Sequence, residues 1–316
     1  MADVARGMKV ARFTVLGAAA LDHAAVTLAA PVLGASNPGT ARTSPGGVGL
    51  NVARDLARLG HRVHFASCIG RDADGAVLIA AAEADGVDMT SVPMSIRSPT
   101  ATYRAAFDDA GGLIIGIADM AILEEITPDA AERAVRSTEG TIVVDANLPA
   151  PTLAALARAA EERPLAAIAV SPAKAMKLVP ILGGIALLFA TRREAAALLG
   201  REDDANVPTR DLAADLVLAG AGKAIVTDSG RPLAAAASGE VHLFPPFPAH
   251  VRSVNGAGDA LAAGVLHGLA VGRPYFEAVL DGLAAAAITV EEKGTVAAGL
   301  TAAAVEARIA KARIVT

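Results

Sequence analysis

The chain has 316 residues, 53% of them hydrophobic and 19% charged, with a formal net charge of -5; that length buries a sizeable core in one large α/β domain without cross-links or metal. Acidic balance and singly scattered Lys and Arg exclude a nucleic-acid footprint or an anionic membrane as partner, which leaves a small molecule. A single cysteine excludes an intrachain disulfide and fits a reducing cytoplasm.

In chain order, the first 22 residues reach Asp22 before a leader's apolar core or cleavage site develops. "VARFTVLG", "GLNVARDLARLG", "RVHFASCIG" and "DGAVLIAAAEADG" then alternate short β-branched runs with longer alanine-rich helical patterns. This is the signal of βαβ units and a mainly parallel sheet. The rhythm resumes with "GTIVVDANL", "LAAIAVS", "GIALLFA" and "KAIVTDS", and helices close the chain from about Gly258 onward. Residues 23–44 and 97–118 break it, reading as extended pieces joined by turns, with a hairpin at "FDDAGGL". Together they predict a small β lid over the carboxyl ends of the main strands, where open α/β sheets bind ligands. The mean hydropathy of +0.46 comes mostly from alanine. The one long apolar stretch, "LVPILGGIALLFAT", is too short to span a membrane and carries Pro180.

Two glycine clusters carry the chemistry. In "SPGGVGLNVARDLARLG", Gly46 and Gly47 admit close approach to the backbone, and the following helix presents N–H groups with Asn51 one turn in; a tight turn before an amphipathic helix is the alternative. In "SVNGAGDALAAGVLHGLA", Gly256, Ala257 and Gly258 open a helix whose first turn holds Asp259. An unsatisfied helix N-terminus is an anion site, and a carboxylate there is either a cap or a base for a substrate hydroxyl. The dinucleotide fingerprint, the Walker phosphate loop and the protein-kinase motifs are absent. His61, His64 and Cys68 in "HRVHFASC" read as a strand rather than a metal cluster, and His267 as core or helix surface. Lys174, at a helix start, reads as solvated, whereas Asn147 after Asp145 stands at a strand end, the expected ligand edge.

In order and separation, "GGVGLNVARDLARLG" and "NGAGDALAAGVL" resemble the two signatures of the PfkB, or ribokinase-like, carbohydrate kinases. The resemblance covers almost the whole chain, including Asp22 at the end of the first strand and "AAAAITVEEKGT". It implies one kinase domain over residues 1–316 with a three-layer α/β/α fold, a mainly parallel central sheet and the β lid. It further implies Asp259 as catalytic base, Gly256, Ala257 and Gly258 as anion hole, and Asp22, Gly46, Gly47 and Asn51 as sugar-hydroxyl contacts. Thr227 and Ser229 in "IVTDSG" fall where the family lines the ATP phosphates and ribose, the second position being more often glycine. The magnesium-linked N-x-x-E motif is represented by "TRRE", in which Glu194 holds Mg2+ through water or caps its helix with Thr191. A monovalent cation such as K+ is implied near "EEKGT".

Within the family, "ASNPGTARTSPGGVGLN", "VVDANLP", "AVSPAKAMKLVPIL" and "ATYRAAFDDAGGLIIGIADM" are similar to the branch that phosphorylates the 5'-hydroxyl of pseudouridine. That similarity places Ser36 and Asn37 near the base or ribose and Thr102 and Asp119 on the lid side, although "SNPG" is equally an ordinary turn. The chain departs from the family at Ala20, where Asn is frequent, and at "SVN", where Asp-Thr is common. A kinase for ribose or adenosine, and a non-catalytic ligand-binding protein on the same fold, are the alternatives. Exposed lid edges admit a homodimer through the lid.

Overall fold

The computed structural model describes residues 9–202 and 206–315; residues 1–8, where the leader reading begins, lie outside them. The chain opens with β1 (Arg12–Leu16), β2 (Ala20–Thr27), β3 (Gly39–Gly46) and α1 (Val48–Arg58). Next come β4 (Arg62–Ala66), β5 (Ile69–Gly70), α2 (Ala73–Ala84), β6 (Met94–Ser95), β7 (Thr102–Phe107) and β8 (Leu113–Asp119). The middle third holds α3 (Pro128–Arg136), β9 (Thr141–Asp145), α4 (Ala150–Ala159), β10 (Leu165–Ile168) and the short α5 (Pro172–Ala175). It continues with β11 (Leu187–Thr191), α6 (Arg192–Leu198), α7 (Thr209–Leu218), β12 (Lys223–Thr227), β13 (Leu233–Ala237) and β14 (Glu240–Phe244). Three helices end the chain: α8 (Ala257–Ala270), α9 (Tyr275–Val290) and α10 (Ala302–Val315).

The main sheet has the order β14-β13-β12-β11-β10-β9-β1-β4 and is parallel from β12 to β4. Alternation along its strands divides the core in two. Phe13, Val15 and Val143 turn to one face, beneath α1, α2, α8, α9 and α10. Leu16, Ile142 and Val144 turn to the other, under α3, α4, α6 and α7. Both faces are covered, so the parallel strands carry near-continuous apolar runs. The antiparallel hairpin of β13 and β14 escaped the sequence rhythm. Leu233–Ala237 is a wholly buried strand that is four-fifths alanine, a poor strand former by propensity, and only packing against β12 and the helices makes it one. The stretch expected to be too short for a membrane span is a 3-10 helix, Met176–Gly184, followed by β11. No helix among the described residues is long and apolar enough to cross a membrane.

A second sheet, ordered β3-β2-β7-β8, gathers the two irregular stretches. Asp22 lies inside β2 of this sheet rather than at the end of β1. The hairpin between β7 and β8 turns through Asp109 and is closed by Asp108, whose Oδ1 accepts from Ala110 N at 3.0 Å and Gly112 N at 2.6 Å.

Asp72 joins the small sheet to the body. Its carboxylate caps α2 by accepting from Gly75 N (2.8 Å), and it also accepts from Thr100 N (2.8 Å) and Thr100 Oγ1 (2.6 Å) at the root of β7. Asp72→Ala removes the cap and both tethers. The expected cost is ~2 kcal/mol, read as a lower midpoint in thermal unfolding, with faster hydrogen exchange in β7 than in β9. Unchanged exchange in β7 would show that the small sheet is anchored elsewhere.

Candidate active site

Asp145, Thr191 and Thr227 are each the last residue of a parallel strand, so they mark one edge of the sheet, and α8 begins above it. Its N-cap, Gly256, has φ 78° in the left-handed region, and a Cβ there would run into the carbonyl of Thr295. Only glycine makes this turn without strain. The helical ladder starts with Ala260 N donating to Gly256 O at 2.9 Å, so the first-turn N–H groups of Gly258 and Asp259 precede it. Ala257 N closes the turn onto Val254 O at 3.3 Å.

Asp259 is half-buried in that first turn, and Asn51 Nδ2 donates to its Oδ2 at 2.8 Å. Asn51 is thus the orienting partner of the carboxylate. Its Oδ1 accepts in turn from Thr295 Oγ1 at 3.4 Å. Burial pushes the Asp259 carboxyl up to about 7, opposed by the Asn51 hydrogen bond and reinforced by the charges of Asp145 and Asp22. Asp22, also raised by burial to about 6, faces the same space from β2.

The start of α1 differs from that of α8. Gly47, with φ 94°, is its N-cap, but the N–H groups expected to be free are taken. Gly49 N donates to Asp145 Oδ2 at 2.8 Å, and Leu50 N donates to Ala18 O at 3.0 Å. Asp145, 1% exposed, also accepts from Ala18 N (2.8 Å) and Asn147 N (2.8 Å). Sequence reasoning passed over Asp145, although an acid ending an otherwise apolar strand was a usable signal. It passed over Asp55 as well, which lies one turn beyond Asn51 on α1, wholly buried, with neither oxygen hydrogen-bonded. Burial holds its carboxyl well above the usual range, with the charge of Asp259 adding to the effect. Arg54 and Arg58 turn instead to Asp85. A charged residue on the apolar stripe of α1 was the sequence signal for Asp55.

The remaining expected site residues are dispersed. Thr102 is buried at the root of β7, and Asp119 is exposed at the end of β8. Ser36 and Asn37 lie in the β2–β3 connection. The Asn37 amide is engaged there: Nδ2 donates to Val32 O and Ala35 O, both at 3.0 Å, while Oδ1 accepts from Val32 N at 2.8 Å. Asn147 is buried, and its Oδ1 accepts from Lys174 Nζ at 2.5 Å. Lys174 is therefore pinned rather than solvated, as is Lys177, which donates to Leu148 O at 2.7 Å.

Beside the start of α8 is a cleft of about 540 Å³ lined by Ala257, Gly258, Thr191, Thr227 and Ser229, with Phe247 among its apolar walls. Ser229 has φ 52°, a conformation that favours glycine and accounts for the usual residue there. Glu194 is buried next to the cleft in a capping box: Thr191 N donates to its Oε2 at 2.8 Å, and its own N–H donates to Thr191 Oγ1. Burial raises its carboxyl. Among the described residues no group of three or more His, Cys, Asp or Glu is placed to hold a metal. His61 faces the buried His267 across 2.9 Å, His64 faces Asp88, and Cys68 is buried.

This three-layer arrangement, with its mostly parallel central sheet, is the ribokinase-like fold. A carbohydrate kinase from Agrobacterium tumefaciens superimposes with a TM-score of 0.84 at 37% identity, over 95% of this chain and 97% of that one. Ribokinase from Arabidopsis thaliana, complexed with ribose and ATP, shares the fold at a TM-score of 0.80 and 21% identity, over 95% and 99% of the two chains. In sequence, the chain is 31% identical over 273 residues to the pseudouridine kinase of Escherichia coli, covering 84% of this chain and 86% of that protein. The pattern of the pfkB family of carbohydrate kinases matches residues 12–302, and the chain belongs to that family. It is accordingly a phosphotransferase.

The raised carboxyl of Asp259 has a consequence for stability. The folded chain binds this proton more tightly than the unfolded chain, whose ordinary value is 3.8. Asp259 therefore costs stability as pH rises from about 4, and the cost is complete above about 7. Asp259→Asn is expected to unfold ~5 °C above wild type at pH 8, with the gap closing toward pH 4. A gap independent of pH, measured by calorimetry, would deny Asp259 the raised proton affinity.

Proposed function

We propose that the chain uses ATP to phosphorylate the 5'-hydroxyl of a nucleoside, with pseudouridine as the substrate. The observation that carries phosphoryl transfer is the Asn51-oriented carboxylate of Asp259 in the first turn of a helix whose N–H groups open onto the cleft. Pseudouridine is supported by the similarity to the Escherichia coli enzyme of that name. Kinship with ribokinase supports ATP as donor.

Asp259 accepts the 5'-hydroxyl proton as the oxygen bonds to the γ-phosphorus and the bond from that phosphorus to the ADP oxygen breaks. A base whose proton affinity is centred near neutrality is well matched to this step. The helix-start N–H groups of Gly256 and Gly258 hold the charge of the phosphoryl in flight, joined by that of Ala257 once it leaves its 3.3 Å bond to Val254 O, and Asn51 fixes which carboxylate oxygen faces the hydroxyl. Asp22, Gly46 and Gly47 hold the sugar, with Ser36, Thr102, Asp119 and Asn147 around the remainder of the ligand. Asn37 then acts by bracing its turn, through the three hydrogen bonds it makes there. Thr227 and Ser229 contact the nucleotide in the cleft they line.

Glu194 suits magnesium held through water, since Mg2+ keeps several waters and takes one or two carboxylates together with phosphate oxygens. When bound, the ion neutralises phosphate charge. The "EEKGT" segment, beside the Gly256 turn through Thr295, is where K+ binds in this reading. The small sheet closes as a lid that excludes water, and its edges pair with a second copy of the chain. The buried single cysteine accords with a cytoplasmic enzyme.

Incubation with ATP, magnesium and a panel of nucleosides and sugars tests the reading. Pseudouridine 5'-phosphate is the expected main product; preference for ribose or adenosine would sink the substrate assignment, and no turnover would favour a binding protein. With the preferred substrate, kcat/KM is expected to fall about tenfold per pH unit below ~7, because the ionised carboxylate is the acting form. Asp259→Asn should lower kcat by a factor of ~100 or more while ATP still binds. Near-normal turnover in that variant would reduce Asp259 to a helix cap.

A further inference from the structure

We propose that Tyr103 is the residue that selects a nucleoside over a free sugar, by providing an aromatic platform for the heterocyclic base. This rests on the nucleoside-kinase reading above. Strands β2 and β7 run parallel with Asp22 opposite Tyr103, so both side chains stand on one face of the small sheet. That face looks onto the catalytic carboxylate, which feels the charge of Asp22. A sugar whose hydroxyl is held by Asp22 therefore has Tyr103 one strand away.

On the edge strand β3, Ser44 and Arg42 stand opposite Asp22 and Ala24, and between them and the far edge of β8 the face is cut low. Ala24 follows Asp22 along β2, Ala105 follows Tyr103 along β7, and Gly116 and Ala118 stand opposite Ala105 and Tyr103 on β8. No side chain larger than a methyl group rises from the centre of the face, which leaves a shallow slot suited to a flat ring. Tyr103 lies across the absent side chain of Gly116: a Cβ built on that glycine would stand 2.5 Å from the tyrosine hydroxyl oxygen and 3.1 Å from Cζ. Gly116 thus lets the ring lie down on the sheet instead of standing off it. The ring is half-buried, and its hydroxyl has no hydrogen-bond partner among the described residues and is open to solvent.

A phenol with one side against a sheet, its hydroxyl unused, offers a π-face for stacking and a donor and acceptor for the polar edge of a base. The contrast with the other tyrosine of the chain is instructive. Tyr275 is in the core and donates to Ala224 O at 2.9 Å, a structural use that Tyr103 lacks. A free pentose has no aromatic base to stack on this platform, so its binding does not depend on stacking there.

Steady-state kinetics with pseudouridine and with ribose, on wild type and on Tyr103→Ala, Tyr103→Phe and Gly116→Ala, tests the assignment. Tyr103→Ala is expected to raise KM for the nucleoside ~10-fold or more, with kcat within about threefold and KM for ribose unchanged. Gly116→Ala, at an exposed position, should reproduce the effect by lifting the ring off the sheet without altering its chemistry. Tyr103→Phe should keep most of the nucleoside affinity, because the π-face remains. Unchanged KM for the nucleoside in Tyr103→Ala, or an equal rise for ribose, would overturn the assignment, as would a change of solution mass that made Tyr103 an interface residue. If wild type itself prefers ribose, the nucleoside reading fails first and this inference with it. If wild type prefers the nucleoside and the variants do too, only the platform fails.

Discussion

The candidate site hangs on a buried carboxylate held by hydrogen bonds from the backbone. Asp145 ends the central strand β9 and accepts three backbone N–H groups within 2.8 Å, from Ala18 after β1, Gly49 in α1 and Asn147 in its own loop. A carboxylate buried this deeply is tolerable only when its lone pairs are filled, and these are filled by the segments that have to be aligned. The packing around it is close enough that a side chain at Gly17 would collide with the carboxyl group. Through Gly49 the clamp sets the height of α1, through α1 it sets Asn51, and Asn51 holds Asp259 at 2.8 Å.

Asp145 has an electrostatic consequence as well. Together with Asp22 it adds negative charge near Asp259 and helps raise the proton affinity of that carboxyl beyond what burial alone achieves. Asp55 lies one turn further along α1 without a hydrogen-bond partner, and burial, with the charge of Asp259 adding to it, holds its carboxyl well above the usual range. The fold therefore gathers acids where stability alone would disperse them, a common cost of a functional site. Two neutralising devices are present: the Asn51 hydrogen bond and the positive end of α8.

How much of this was legible in the sequence depended on whether the signal was local. Helices α1 and α8, the parallel strands and the two irregular stretches follow from periodicity and glycine placement, which act within a few residues. The capping box of Thr191 and Glu194 was legible for the same reason. The hairpin of β13 and β14 was not, because Leu233–Ala237 is made a strand by its neighbours. The pinning of Lys174 on Asn147 and the turn-bracing role of Asn37 also depend on which groups meet in space. Asp145 and Asp55 belong with these: each is an acid in an apolar run, and only the assembled structure shows that one is satisfied three times over and the other not at all.

The two glycine-opened helices carry this distinction furthest. By sequence they are alike, each a glycine cluster followed by an amphipathic or small-residue helix with a polar group one turn in or less. At α1 the protein consumes its own anion site: Gly49 donates to Asp145 and Leu50 to Ala18, so the helix start is an internal joint. At α8, among the described residues, no side-chain carboxylate accepts a hydrogen bond from the N-terminal N–H groups, and Asp259 lies within the first turn instead of across from it. One helix end is closed by a structural carboxylate, and the other, under the proposed function, is left for an anion that arrives with the substrate. Because α1 is fixed by the first and carries Asn51 to Asp259 beside the second, the closed end positions the carboxylate proposed as the base at the open one.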